Sequence, residues 1–393
     1  MARARRPQSV GLDALLAAKE MVVVCGSGGV GKTTVAAAMA ARAAAEMGGR
    51  VLVLTVDPAR RLANALGMQA FGNAETRVTD EAFRATGVEP RGELWAAMLD
   101  TKAGWDELIR RHAPNAQVRE SVLANPLYQN ITGRFVNSHD YLAMERLYEV
   151  HTTGRYDLVV VDTPPTRNAL DLLDAPGRMA EFFGSRLLKW LTVPYRSRLF
   201  TMASRPFYQV ADRILGSRFL QDIAEFFSLF QTMERGFVRR AHEVERLLSD
   251  DRTTFIVVST LEAAPAAEAR FFVDELTNRR LPLGGLVANR VLPPALRERA
   301  VARSAEVLRG ALDSSALAAD AARVVGEPEP VVHDVLARAA ERFRDIAVVA
   351  KREAERHSEL AAVAPVLATV AALDADVTDL GGLLRLGAEL WRS

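Results

Sequence analysis

A chain of 393 residues, 49% apolar and 25% charged, is long enough to bury a core as one large or two ordinary domains. Its formal net charge of +1 excludes the one-signed field that would draw nucleic acid or an acidic membrane surface. The single cysteine, Cys25, excludes an intrachain disulfide and a multi-cysteine metal site within the chain, which suits a reducing cytosol; ending an apolar run, it reads as a small buried hydrophobe.

In chain order, the opening MARARRPQSVGLDALLAAKE is basic but lacks the continuous apolar core of a secretory leader. Five short apolar runs then recur with helical stretches between them: MVVVC at 21–25, VLVLTV at 51–56, DLVVVD at 157–162, TFIVVS at 254–259 and GGLVANRV at 284–291. Strands apolar on both faces are buried on both faces, so they predict a mainly parallel sheet covered by helices, a doubly wound α/β core.

Two segments interrupt the rhythm, at about 81–153 and 170–251, with helical patterns and few strand signals. In the second, Phe219, Ile223, Phe226, Phe230, Met233 and Phe237 recur at three- and four-residue steps along one helix face, widened by Phe227 and Val238. An irregular apolar patch from Phe182 to Phe200 precedes them. Together the segments predict a helical subdomain inserted into a single domain spanning residues 15–393. The stripe is read either as an ordinary helical core or as a groove for a client helix. The alanine-rich stretches Ala36 to Ala45 and Ala316 to Arg323 read as exposed or half-exposed helices. The longest uncharged run, Leu360 to Leu373, is broken by Pro365 and falls short of the roughly 20 residues that span a bilayer. Leu380 to Trp391 is mildly amphipathic without a basic face, which favours a helix packed on the sheet over a membrane anchor. The expectation is a cytoplasmic chain with no transmembrane segment. The six histidines are scattered without i,i+4 partners, a poor basis for a metal site.

Gly26-Ser27-Gly28-Gly29-Val30-Gly31-Lys32-Thr33 fits G-x-x-x-x-G-K-[ST] and lies after one predicted strand and before the helical run from Thr34. Glycines there let successive backbone N–H groups turn inward around phosphate oxygens, and the helix N-terminus adds its positive dipole end. Lys32 then reaches the β- and γ-phosphates and Thr33 offers its hydroxyl to Mg²⁺. Lysine is rare here, with only five in the chain, so its place inside a glycine run stands out. Two further strands end in carboxylates, Asp57 in VDPARR and Asp162 in VDTPPT. At the carboxyl ends of parallel strands they share the crevice with the loop, where Asp162 suits holding Mg²⁺ through water and Asp57 suits orienting or deprotonating the attacking water. The alternative for each is a strand-end turn or helix cap.

These pieces, in this order, resemble the family of the arsenite-pump ATPase ArsA and of the ATPase that guides tail-anchored proteins to membranes, P-loop enzymes of the deviant Walker A class. The resemblance rests on GSGGVGKTT, DPARRLANALG, YDLVVVDTPPT and RFFVDELTNRRLPLGGLVANRV. It implies a nucleotide site made by Gly26, Ser27, Gly28, Gly29, Val30, Gly31, Lys32, Thr33 and Thr34, with Asp57 in switch I, Asp162 in switch II and Asn289 on the adenine. It also implies ATP and Mg²⁺ as ligands, face-to-face dimers, and helical insertions that change shape with nucleotide state. Three departures stand out. Ser27 occupies the place of the first lysine in the family's GKGGVGKT, which crosses to the partner's phosphates. After Thr166, the family's switch II glycine and histidine become Arg167 and Asn168; the arginine either alters the switch or supplies a positive charge. No C-x-x-C pair staples a homodimer.

The function these readings imply is an ATP-hydrolysing dimeric switch that couples nucleotide state to a client or partner, in membrane-protein targeting or a chaperone-like role. The dimer is either a homodimer or a heterodimer whose other subunit retains the loop lysine. The alternatives are the energising ATPase of an arsenite-like anion efflux system, and a partitioning or positioning ATPase. Contact with a membrane would run through a partner.

Overall fold

The computed structural model describes residues 11–56, 61–66, 68, 74–99, 101–131, 138–164, 173–175, 177, 178, 181, 226, 234–314 and 316–392. Helix α1 (Leu12–Ala17) leads into β1 (Met21–Cys25), and a glycine-rich turn joins it to α2 (Lys32–Glu46) and β2 (Gly49–Thr55). Then follow α3 (Arg61–Ala65), β3 (Thr76–Arg77), α4 (Asp80–Arg84) and β4 (Gly92–Met98). Four helices, α5 (Thr101–His112), α6 (Ala116–Ala124), α7 (Pro126–Ile131) and α8 (Ser138–Thr152), precede β5 (Leu158–Asp162). Further on come α9 (Glu234–Ser249), β6 (Thr253–Ser259), α10 (Ala263–Asn278), β7 (Leu283–Val291), α11 (Arg299–Ser314), α12 (Leu317–Val325), α13 (Glu329–Val363), β8 (Val366–Ala371) and α14 (Leu380–Trp391). Local chemistry sets several ends. Thr79, Asn115 and Asp379 each accept a backbone N–H from the first turn of α4, α6 and α14, and Gly326 ends α12 in the left-handed conformation.

The strands form one eight-stranded sheet in the order β3-β4-β2-β5-β1-β6-β7-β8, parallel throughout except for the β3–β4 pair. All five strands expected from apolar runs are present, and the doubly wound expectation holds. Successive residues face opposite layers. Val22 and Val24 join Val51, Val53 and Val160 against α2 and α14, while Met21, Val23 and Cys25 join Leu52, Val161 and Phe255 against α8, α9 and α10. Because β1 connects leftward to β2 while β6 lies on its other side, the carboxyl end of β1 is the switch point where open α/β sheets form their crevice.

Three expectations need correction or extension. The alanines of α2 are not exposed: Ala36 to Ala41 and Ala43 to Ala45 are all buried, because their small side chains let α2 sit close between the sheet and α14. Strand β4 lies inside the segment read as helical and β8 inside the uncharged run ending at Leu373. Both are rich in alanine, which is a poor strand signal, and their neighbours in the sheet decide their conformation. Helix α14 packs on α2 as well as on β8.

Of the aromatic stripe, Phe226 is buried with its ring 6.4 Å from that of Tyr128, and Val238 is half-buried on α9. Phe219, Ile223, Phe227, Phe230 and Met233, with the patch from Phe182 to Phe200, lie outside the described residues, and nothing is described of the Phe237 side chain. Helices α8 and α9 are joined by a buried Arg240–Glu145 ion pair. It borders a cavity of about 550 Å³ in which Arg111 and Arg146 also pair with Glu149.

Candidate functional site

The turn between β1 and α2 has a backbone that demands glycine at two points. Gly26 has φ +151°, and a Cβ there would lie 2.1 Å from the Val258 carbonyl oxygen of the neighbouring β6. Gly31, the residue before α2, has φ +92°, and a Cβ would lie 2.5 Å from the Asn289 amide nitrogen. The loop therefore hugs the ends of β6 and β7 too closely for a side chain at either place.

Lys32, only 7% exposed, bends back and donates from Nζ to the Ser27 carbonyl oxygen at 2.8 Å. An ammonium ion is thus held across the mouth of the loop. Thr33 and Thr34 follow in the first turn of a 15-residue helix, whose N-terminal backbone N–H groups point out of the same end. Ser27 is 6% exposed and its hydroxyl meets no hydrogen-bond partner among the described residues, so this side chain is turned into the protein.

Asp162 is fully buried at the carboxyl end of β5, in register with Val24 of β1 and Thr55 of β2. Thr55 Oγ1 donates to its Oδ2 at 3.0 Å, which orients the carboxylate. Thr163 donates from Oγ1 to the Val24 carbonyl oxygen at 2.8 Å and pins the chain after it. Behind the loop, burial pushes the Cys25 thiol up to about 12, against smaller opposing effects of a Thr163 hydrogen bond and the Lys32 charge.

Asn289, 6% exposed near the end of β7, donates from Nδ2 to the Val30 carbonyl oxygen at 2.8 Å. A cleft of about 650 Å³ opens beside it, bounded by Gly31, Thr33 and Thr34, by Asn64 of α3, and by the connection from Ala371 to Thr378 between β8 and α14. The loop between β1 and α2, Asp162 and Asn289 therefore meet at the carboxyl ends of the parallel strands. Asp57, Thr166 and Arg167 lie outside the described residues. The sequence reading missed Thr55, the cleft wall after β8, and Arg290, whose side chain also reaches the loop. Thr55 was visible as a hydroxyl residue ending an apolar strand; the other two depend on backbone geometry.

The donors here are oxygen atoms, the Thr33 hydroxyl and the Asp162 carboxylate, and such hard ligands fit Mg²⁺. The loop has the shape and charge for a polyphosphate.

A family model described as anion-transporting ATPase matches residues 19–309. The chain is 27% identical over 277 residues to ATPase ASNA1 homolog 1 of Paramecium tetraurelia, covering 70% of this chain and 75% of that protein. It is 30% identical over 310 residues to an uncharacterized protein of Streptomyces coelicolor, covering 76% and 71% respectively. Over a shorter stretch of 191 residues it is 30% identical to a putative arsenical pump-driving ATPase of Prosthecochloris vibrioformis, 48% of this chain and 42% of that one.

Proposed function

The chain belongs to the anion-transporting ATPase family, and from that premise we propose a dimeric switch that couples ATP binding and hydrolysis to a client or partner. It is an ATPase. The observation that carries the site reading is the glycine loop closed by Lys32, which opens beside a cleft large enough for a nucleoside.

In this reading the adenosine lies in the cleft and the phosphates in the loop. Backbone N–H groups from Gly28 to Thr34 bind phosphate oxygens, with Gly26 and Ser27 shaping the turn. Lys32 leaves the Ser27 carbonyl for the β- and γ-phosphates, so an ammonium already partly stripped of water is ready at the site of charge development. Mg²⁺, when bound, neutralises charge on the β- and γ-oxygens. Thr33 would hold it directly and Asp162, oriented by Thr55, through water. Asp57 orients or deprotonates the attacking water, and Thr166 and Arg167 belong to switch II. With one amide N–H of Asn289 given to Val30, its Oδ1 is placed to accept from the exocyclic amine of adenine.

Residues 15–393 form a single ATPase domain, with the segments at about 81–153 and 170–251 contributing a helical subdomain that responds to nucleotide. The client is a membrane protein or helix, in a targeting or chaperone-like role. No described helix is long and apolar enough to cross a membrane, so contact with one is assigned to a partner. An arsenical efflux role is suggested by one relative's name. Direct regulation by arsenite is disfavoured, since a soft metalloid needs several thiolates and Cys25 is single, buried and held protonated.

Ser27 brings no charge across a dimer interface, so we assign full turnover to a heterodimer whose other subunit carries the GKGGVGKT form. ATP turnover by the purified chain, alone and mixed with a related ATPase of that form, tests this. A gain on mixing beyond the sum of the two is expected; full activity alone with no gain would overturn the heterodimer.

A further inference from the structure

The end of β7 departs from regular pairing. Ala288 pairs with Thr369 and Val291 with Ala371, so three steps on β7 match two on β8, and one extra residue is taken up between them. Within this bulge Arg290 has φ +57°, and it is one of two non-glycine residues in the left-handed region among the described residues. A bulge re-aims side chains, and a left-handed arginine carries backbone strain that persists only where the surroundings enforce it. The surroundings are explicit: Ala372 donates its N–H to the Val291 carbonyl at 3.0 Å, and the buried Glu353 carboxylate of α13 accepts the Leu292 N–H at 2.9 Å.

The bulge turns both of its side chains toward the same loop. Asn289 donates to the Val30 carbonyl at 2.8 Å, and Arg290, from an exposed position at the cleft, donates from Nη1 to the Gly29 carbonyl at 3.0 Å. Two successive carbonyls of the phosphate loop are thus held from outside. In a trans peptide the C=O and the following N–H point in opposite directions. Fixing the Gly29 and Val30 carbonyls outward therefore fixes the Val30 and Gly31 N–H groups on the opposite side, where a phosphate sits in such a nest.

We propose that Arg290 is a positioning residue for phosphate binding: with Asn289 it holds the Gly29 and Val30 peptides so that their N–H groups are set before the nucleotide arrives. This rests on the nucleotide reading of the loop. Its effect falls on the phosphates rather than on the base, and it acts mainly on release, because a preset nest avoids the ordering cost of binding and affinity differences between variants of one site fall mostly on the dissociation rate.

Arg290→Gly separates this role from a structural one, since glycine takes the left-handed conformation freely and removes an exposed side chain together with its guanidinium. Binding of a fluorescent ADP analogue to the full chain, its release on chase with ADP, and its competition by adenosine are measured for wild type and variant. The expected result is about a tenfold loss of ADP-analogue affinity, mostly as faster release, consistent with loss of one charged hydrogen bond. Adenosine affinity and the melting temperature without nucleotide should not fall. Arg290→Lys, which keeps a cationic donor for the Gly29 carbonyl, should recover most of the loss. Unchanged ADP release in Arg290→Gly, an equal loss for adenosine, or a lysine variant as weak as the glycine one would each overturn the proposal. A wild-type chain that fails to bind the analogue would overturn the nucleotide reading itself, which keeps the two failures apart.

Discussion

Cys25 sits at the last position of β1, directly behind the loop, and is fully enclosed. Burial pushes its thiol up to about 12, so the folded protein keeps a proton that the unfolded chain loses near 9.0. The unfolded state then binds fewer protons than the native one, and stability falls as pH rises through that interval. Unfolding in denaturant across this range, compared with Cys25→Ala, should show a component of the alkaline loss that the alanine variant lacks. Parallel pH curves for the two proteins would contradict it. At this scale the loop glycines, Lys32 and Asp162 were legible because their types and strand-end positions are dictated by chemistry. Arg290 was not: its left-handed conformation at a residue that is neither glycine nor asparagine leaves no mark in the sequence.

The elements follow the same division. Strands β1, β2, β5, β6 and β7 are β-branched and apolar on both faces, which only a covered parallel sheet satisfies, and they were readable as such. Strands β4 and β8 take their conformation from pairing with β2 and β7 and were not. Alanine was ambiguous in α2 because it serves equally on an exposed helix and where two helices approach closely. The second case holds here. On α14, a Cβ at Gly387 would lie 2.8 Å from Arg42 Cβ and 3.0 Å from the Ala38 carbonyl of α2. Gly387→Val should therefore force the helices apart and cost about 2 kcal/mol of overpacking, measured by chemical denaturation. A variant as stable as wild type would show that this contact is not tight.

At the scale of the whole molecule, the order β2-β5-β1-β6-β7 brings three strand ends and one loop to a single edge, although their residues are far apart in sequence. The loop and Asp162 lie at the switch point, and the bulged β7 reaches across β6 to the loop with Asn289 and Arg290. A nucleotide bound there contacts the center of the sheet, so its binding stabilises the entire fold by mass action, by about 2.7 kcal/mol at a hundredfold excess over the dissociation constant. The direct measurement is the melting temperature of wild type and Lys32→Ala with and without Mg²⁺-ATP. A concentration-dependent rise is expected in wild type and none in the variant, whereas an equal rise in both would contradict the assignment of the phosphates to this loop.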